Sequence, residues 1–198
     1  KLYFGFKDKI TKEELSILEE KSEIEKDIMG NLLAGVEVEV GDVWLIKAGL
    51  IHAIGAGCLI YEVQQNSNIT YRVYDYDRRG ADGSLRELHI EKACDVIRPF
   101  TEAEIDAIRY SRGLPASREQ VLADCDYFRA EKLVLSQNAH TLTKNGYLRH
   151  LLCIEGSGII EYDGTPYPFR RGDSILLPAS LDDLVLTGDG TVLISTAY

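Results

Sequence analysis

The chain has 198 residues, 45% hydrophobic and 27% charged, a globular composition that excludes wholesale disorder. Its net charge of −10 and pI near 4.9 exclude a general nucleic-acid binder, which needs a basic face against phosphates. No apolar run approaches the roughly 20 residues that cross a bilayer and no signal-peptide pattern opens the chain, so the reading is cytoplasmic, with no membrane and no nucleic-acid partner.

The opening KLYFGF is an alternating aromatic run without an initiator methionine. It reads as the interior of a β-strand and suggests a chain cut from a longer one, a trimmed leader being the alternative. Residues 11–34 then read as a helical insert. Thr11 with Glu14 and Ser22 with Glu25 form two capping boxes, and Ile17, Ile24, Ile28, Leu32 and Leu33 supply an apolar stripe. The intervening charges make a solvated face.

From Val36 the period changes to two. VEVEV turns at Gly41-Asp42 and resumes as an apolar strand ending at Ala48-Gly49, and the GAG of 55–57 permits a sharp bend. CLIYEVQQ and ITYRVYDYD read as two strands joined by the turn NSN, ADG as a further turn, and RELHIEKACDVI as a strand passing into a helical turn. Residues 101–123, polar and carrying Gly113 and Pro115, read as a linker between a unit spanning 1–100 and a second spanning 124–198.

Beyond the linker, short strand-like runs alternate with glycine-bearing turns, the pattern of an antiparallel sandwich or barrel. DLVLTGDG and TVLISTAY read as separate strands. EGSGII lacks the strand-to-helix context of a nucleotide loop and reads as a β-turn. VEVGDVWLIKAG and FRRGDSILLPAS share one plan of strand, Gly-Asp turn, apolar strand and small-residue turn. The first copy continues to His52, whereas the second continues LDDLVL and reads as structural. Cys58, Cys94, Cys125 and Cys153 are scattered without a CxxC or CxxH pair, as buried thiols of a reducing compartment are.

Candidate chemistry concentrates in residues 51–72. His52 starts a strand just after the Gly49 turn, yet one imidazole cannot hold a zinc ion, which takes three or four protein ligands. Period two puts Glu62 and Gln64 on one face, and an unpaired buried acid is costly, so the face is solvent-lined or Glu62 is paired. Antiparallel pairing would bring Arg72 near either residue, and Tyr74 and Tyr76 share its face. That polar surface suits a sugar or sugar phosphate. His89, His140 and His150 carry weaker signals and are not chosen.

Residues 41–97, with HAIGAG, QQNSN, TYRVYDYDR and RELHIEKA, closely resemble the bacterial type I mannose-6-phosphate isomerases, zinc enzymes of the cupin superfamily. The resemblance extends to the histidine-free end of the chain and corresponds to the C-terminal portion of that family. It implies a mainly β fold: part of a cupin-type antiparallel β-barrel, or jelly roll, with a short helical insert, then a second cupin-like barrel lacking metal ligands. It implies interconversion of mannose 6-phosphate and fructose 6-phosphate through an enediol, with His52 as a zinc ligand. Arg72 and Glu62 would be catalytic, and Gln64 would face the substrate. Arginine's fixed fork suits an anionic enediolate or phosphate.

There are departures from the family pattern. The family's remaining ligands, an upstream Gln-x-His segment and a glutamate ahead of the opening strand, are not in this chain, so the chain alone is expected to be inactive and to lack tightly bound zinc. Lys47 replaces the proline usual in the PAG turn. A non-catalytic carbohydrate-binding or assembly cupin module, and a cupin isomerase of another sugar phosphate, are the rival readings. The oligomeric state is left open.

Overall fold

The computed structural model describes residues 1–6, 32–76, 78–98, 100, 102–111 and 118–198. Contacts divide them into two units, Lys1–Ile60 with Ser67–Arg109, and Tyr61–Asn66 with Tyr110–Tyr198. The expected helical insert, including both capping boxes, falls mostly outside the described residues. Its last two positions, Leu33 and Ala34, are strand rather than helix. They complete a ladder against the opening strand, and 2% exposed Leu33 anchors a core cluster there.

In the first unit, β1 (Leu2–Phe6) lies between β2 (Leu33–Val36) and β4 (His52–Ile54), antiparallel to both. The alternation in KLYFGF is used on both faces of this strand. Phe4 packs with Leu50, Ile105 and Ile108, its ring centroid 4.8 Å from that of Trp44, while Tyr3 packs around Leu33 with Ile51 and Ala53. Gly5, at φ +58, occupies the irregularity between Phe4 and Phe6, where a Cβ would stand 3.3 Å from Ile105 Cδ1. The unit also holds β3 (Val43–Trp44), α1 (Ile90–Val96), which buries Ile90 and Ala93, and α2 (Glu102–Ala107).

The expected strands CLIYEVQQ and ITYRVYDYD are instead irregular. Strand propensity needs a ladder partner to be expressed, and in the first segment Leu59, 98% exposed, has no sheet to pack on. In the second, Tyr76 adopts φ +55, which breaks the alternation, and Asp75 turns the chain by accepting the Arg78 N–H. The strand expected at RELHI does not form: a single bridge, Arg79 to Leu85, precedes it, and Ile90 already begins α1. Within 101–123 lie α2, β5 (Arg109–Ser111) and the start of β6 (Glu119–Asp124).

The second unit is a seven-stranded antiparallel sheet. Its strands are β6, β7 (Phe128–Leu135), β8 (His140–Leu142), β9 (Arg149–Tyr162), β10 (Thr165–Arg170), β11 (Ser174–Leu177) and β12 (Leu184–Ala197). Their order is β10-β9-β12-β7-β6, with β11 also on β9 and β8 also on β12. Each 14-residue strand changes partner along its length: β9 passes from β11 to β10, and β12 from β8 to β7. This exchange rolls the sheet around a core of Leu133, Leu151, Cys153, Ile160, Phe169, Leu186, Val192 and Ile194.

Where β9 and β12 pass each other, Gly158 faces Gly188 and Gly156 faces Gly190. A Cβ on Gly158 would stand 2.5 Å from Thr187 O and 2.6 Å from Phe169 Cζ, and one on Gly156 would overlap Asp189 O. EGSGII is therefore not a turn. DLVLTGDG and TVLISTAY are not two strands either, because the glycines provide close backbone approach within continuous strands. The true turn is Asp163-Gly164, both at positive φ between Tyr162 and Thr165, the two-residue hairpin geometry such a pair favours.

Candidate functional site

His52 is delivered by two turns and a strand. The Glu39 N–H donates to Asp42 Oδ2 at 3.1 Å and the Asp42 N–H returns to Glu39 O at 3.1 Å, which fixes the Gly-Asp turn. The Leu50 N–H to Lys47 O bond, 3.2 Å, then closes the second turn without proline. That turn is pinned by Arg98, whose backbone N–H reaches Gly49 O at 3.0 Å and whose Nη2 reaches Ala48 O at 2.8 Å. A Cβ on Gly49, at φ +87, would stand 2.7 Å from Val96 O, so the turn fits this close approach only with glycine.

On β4 the alternation puts Ala53 inward and His52 outward. Nδ1 of His52 lies 3.0 Å from Leu50 O, so in the neutral ring it donates there and Nε2 presents its lone pair to the exterior. This is the arrangement of a metal-binding histidine held by a backbone carbonyl. Among the described residues no group of three or more His, Cys, Asp or Glu side chains could hold a metal ion. One ligand falls short of a zinc site, so the residues described do not by themselves fit the metal that the family resemblance implies.

Arg72 lies in the same unit, and its neighbours Val73 and Tyr74 pack around Leu33 with Ile51 and Ala53, which flank His52. Its carboxylate partner is Asp75, 3.6 Å from Nε, and Nη1 donates to Glu87 O at 3.0 Å. The strand pairing expected to bring Arg72 near Glu62 or Gln64 does not form, because neither segment is a strand. Glu62 and Gln64 are exposed, on the Tyr61–Asn66 arm that groups with the second unit. The structure thus brings His52 and Arg72 into one unit and places Glu62 and Gln64 in the other.

Two histidines passed over in the sequence have defined roles. His89 Nδ1 accepts the Arg72 N–H at 3.2 Å and the His89 N–H donates to Arg72 O at 2.7 Å, a two-way clamp on the backbone of Arg72. Nδ1 being the acceptor, the neutral ring carries its proton on Nε2. His150 bonds Tyr61 and Ser174. The signal for His89 was a histidine ahead of a helix start; nothing in the sequence near His150 pointed to Tyr61.

The repeated plan reappears in the second unit. The Arg170 N–H donates to Asp173 Oδ2 at 2.9 Å, the Asp173 N–H to Arg170 O at 3.0 Å and the Leu181 N–H to Pro178 O at 3.2 Å, the same three bonds at the same spacing. Gly172 and Gly41 share φ values of 92 and 91. The position matching His52 is Asp183, whose Oδ1 accepts the Lys144 N–H at 2.8 Å. Arg149, 3% exposed, lies nearby with Nη1 donating to Thr143 O at 2.8 Å and Nε unbonded. Burial pulls its guanidinium down from the ordinary arginine value, and the charge of Asp183 opposes that pull.

Residues 118–197 match the family described as "Mannose-6-phosphate isomerase, cupin domain". Mannose-6-phosphate isomerase ManA of Bacillus subtilis is 37% identical over 185 residues, covering 93% of this chain and 56% of the relative. The mannose-6-phosphate isomerase of Streptococcus mutans is 33% identical over 165 residues, covering 83% of this chain and 51% of the relative. The crystal structure of the Bacillus subtilis mannose 6-phosphate isomerase superposes with a TM-score of 0.75 at 28% identity, over 98% of this chain and 59% of that one. The chain thus spans about half the length of the curated relatives it matches. The expected fold class, mainly β with cupin-like antiparallel sheets, is borne out. By sequence and by fold, this chain matches a C-terminal portion of the bacterial mannose-6-phosphate isomerases.

Proposed function

We propose that the complete gene product containing this chain interconverts mannose 6-phosphate and fructose 6-phosphate. The observation that carries the proposal is the 37% identity to a mannose-6-phosphate isomerase over 93% of the chain. The geometry of His52, with Nδ1 held by Leu50 O and Nε2 unbonded among the described residues, supports it.

In this reading the reaction moves a proton between C2 and C1 of the sugar through an enediol. Arg72, oriented by Asp75, Glu87 O and the His89 clamp, offers a fixed cationic fork to an anionic enediolate or phosphate. Glu62, exposed and so with its charge hydrated, takes part in proton transfer, and Gln64 binds substrate hydroxyls. His52 is one ligand of a zinc site whose other ligands are not among the described residues. The proposed location is the cytoplasm; among the described residues no helix is long and apolar enough to cross a membrane.

The test compares this chain with the complete gene product for zinc content by elemental analysis and for turnover of mannose 6-phosphate. The expected result is turnover and stoichiometric zinc in the gene product and neither in the chain alone. Turnover by the isolated chain would overturn the assignment of an incomplete site. A gene product that binds mannose 6-phosphate without turning it over would favour a carbohydrate-binding module, a reading that the single histidine ligand here keeps in play.

A further inference from the structure

The arm Tyr61–Asn66 carries two of the proposed site residues, Glu62 and Gln64, but has no regular structure of its own and groups with the second unit. An irregular segment places a side chain reproducibly only if something fixes it. Among the described residues, Tyr61 makes the arm's only side-chain hydrogen bonds to the rest of that unit.

The Tyr61 hydroxyl lies 2.8 Å from His150 Nδ1 and 3.0 Å from Ser195 Oγ, and the Tyr61 and His150 rings stack with centroids 6.0 Å apart at 25°. His150 Nε2 lies 2.7 Å from Ser174 Oγ. The ladders explain this convergence. His150 on β9 is directly opposite Ser195 on β12, and Ser174 is on β11, the other neighbour of β9. By alternation His150 faces away from the core side of β9, where its neighbours Arg149 and Leu151 are buried, and so it is available to the arm.

The donors and acceptors close as a chain. Ser195 donates to Tyr61, Tyr61 to His150 Nδ1, and His150 Nε2–H to Ser174, or the whole sequence runs in reverse. A neutral histidine has one donor and one acceptor nitrogen, and each hydroxyl can donate once while accepting, so neither direction leaves a clash. A tyrosine with both ring and hydroxyl engaged loses its rotamer freedom.

We infer that Tyr61, His150 and Ser195 are positioning residues that hold the arm carrying Glu62 and Gln64. The inference rests on the reading of those two residues as substrate-facing. It explains why a tyrosine hydroxyl and a histidine distant in sequence meet on the outside of a sheet.

Tyr61→Phe removes only the hydroxyl and His150→Gln only the ring, and each is compared with Glu62→Gln in the complete gene product. Two readouts are taken: amide hydrogen exchange across residues 61–66, and kcat and KM for mannose 6-phosphate. Tyr61→Phe and His150→Gln are each expected to speed exchange in the arm about tenfold and to lower kcat about tenfold, with the double variant no worse than either single, since both cut one chain. Unchanged exchange in the arm, or a normal kcat beside an impaired Glu62→Gln, would overturn the positioning role. A silent Glu62→Gln would overturn the catalytic reading of Glu62 itself, whatever the exchange data report of the anchor. Near-ultraviolet circular dichroism of the variants separates loss of positioning from loss of fold.

Discussion

The two copies of the Gly-Asp plan differ less in backbone than in what they carry. Both close a turn with an aspartate carboxylate on the amide three residues before it, and both close a second turn with a leucine amide. The first turn then delivers His52 to an exposed strand, with its second nitrogen unbonded among the described residues. The second delivers Asp183 to a backbone amide, near a buried arginine. The same scaffold thus presents a potential ligand in one copy and an internally satisfied carboxylate in the other. The local backbone sets where a side chain emerges, and the side chain's remaining partners determine whether it is available for chemistry.

The sharpest way to break this comparison is to truncate the two equivalent positions. In the complete gene product His52→Ala is expected to lower turnover by more than about a hundredfold, beyond the cost of losing a residue that merely orients a ligand, while Asp183→Ala leaves turnover within about twofold. Steady-state assays of mannose 6-phosphate isomerisation check both, and equal losses would dissolve the distinction.

A smaller effect separates the glycines that hold strands close from one that does not. Gly158→Ala forces a methyl against Thr187 O and Phe169 and is expected to cost about 2 kcal/mol by urea denaturation. Gly35→Ala meets only Tyr3 ring carbons, at 3.5 Å, and is expected to change stability by less than about 0.5 kcal/mol. The smallest expected difference concerns the turns themselves. Asp173→Ala loses one carboxylate-to-amide bond, about 1 kcal/mol. Asp42→Ala loses the same bond and also the carboxylate 3.6 Å from Arg109, a guanidinium that sits 4.2 Å over the Trp44 ring, so about 2 kcal/mol is expected. Thermal or denaturant unfolding of the two variants tests the ranking.

Legibility in the sequence followed the range of the interactions involved. The opening strand, the Gly-Asp turns, the repeated plan and the antiparallel β character all rest on period-two alternation and local turn chemistry, which a sequence displays directly. The irregular course of residues 58–65 and 69–76 was hidden, because the same strand-prone residues form a strand only where a neighbouring edge is available. The glycines of β9 and β12 misled for a related reason: glycine marks both turns and close approaches, and only the partner strand distinguishes them. Of the candidate site, the choice of His52 and Arg72 rests on motif resemblance. The clamp of His89 on Arg72 and the meeting of Tyr61 with His150 depend on long-range placement that no local pattern encodes.

The placement of β12 also sets the timing of assembly. Residues 184–197 occupy the middle of the sheet, with β9 on one side and β7 on the other. On a ribosome adding about 5–20 residues per second, the earlier strands emerge seconds before the one that joins them. Without β12, the remaining ladders are β9 with β10 and β11, and β6 with β7, each group with an open inner edge. Closure of the second unit is therefore late and non-local, and slowed or truncated synthesis near residue 184 would leave two exposed edges available to a neighbouring chain.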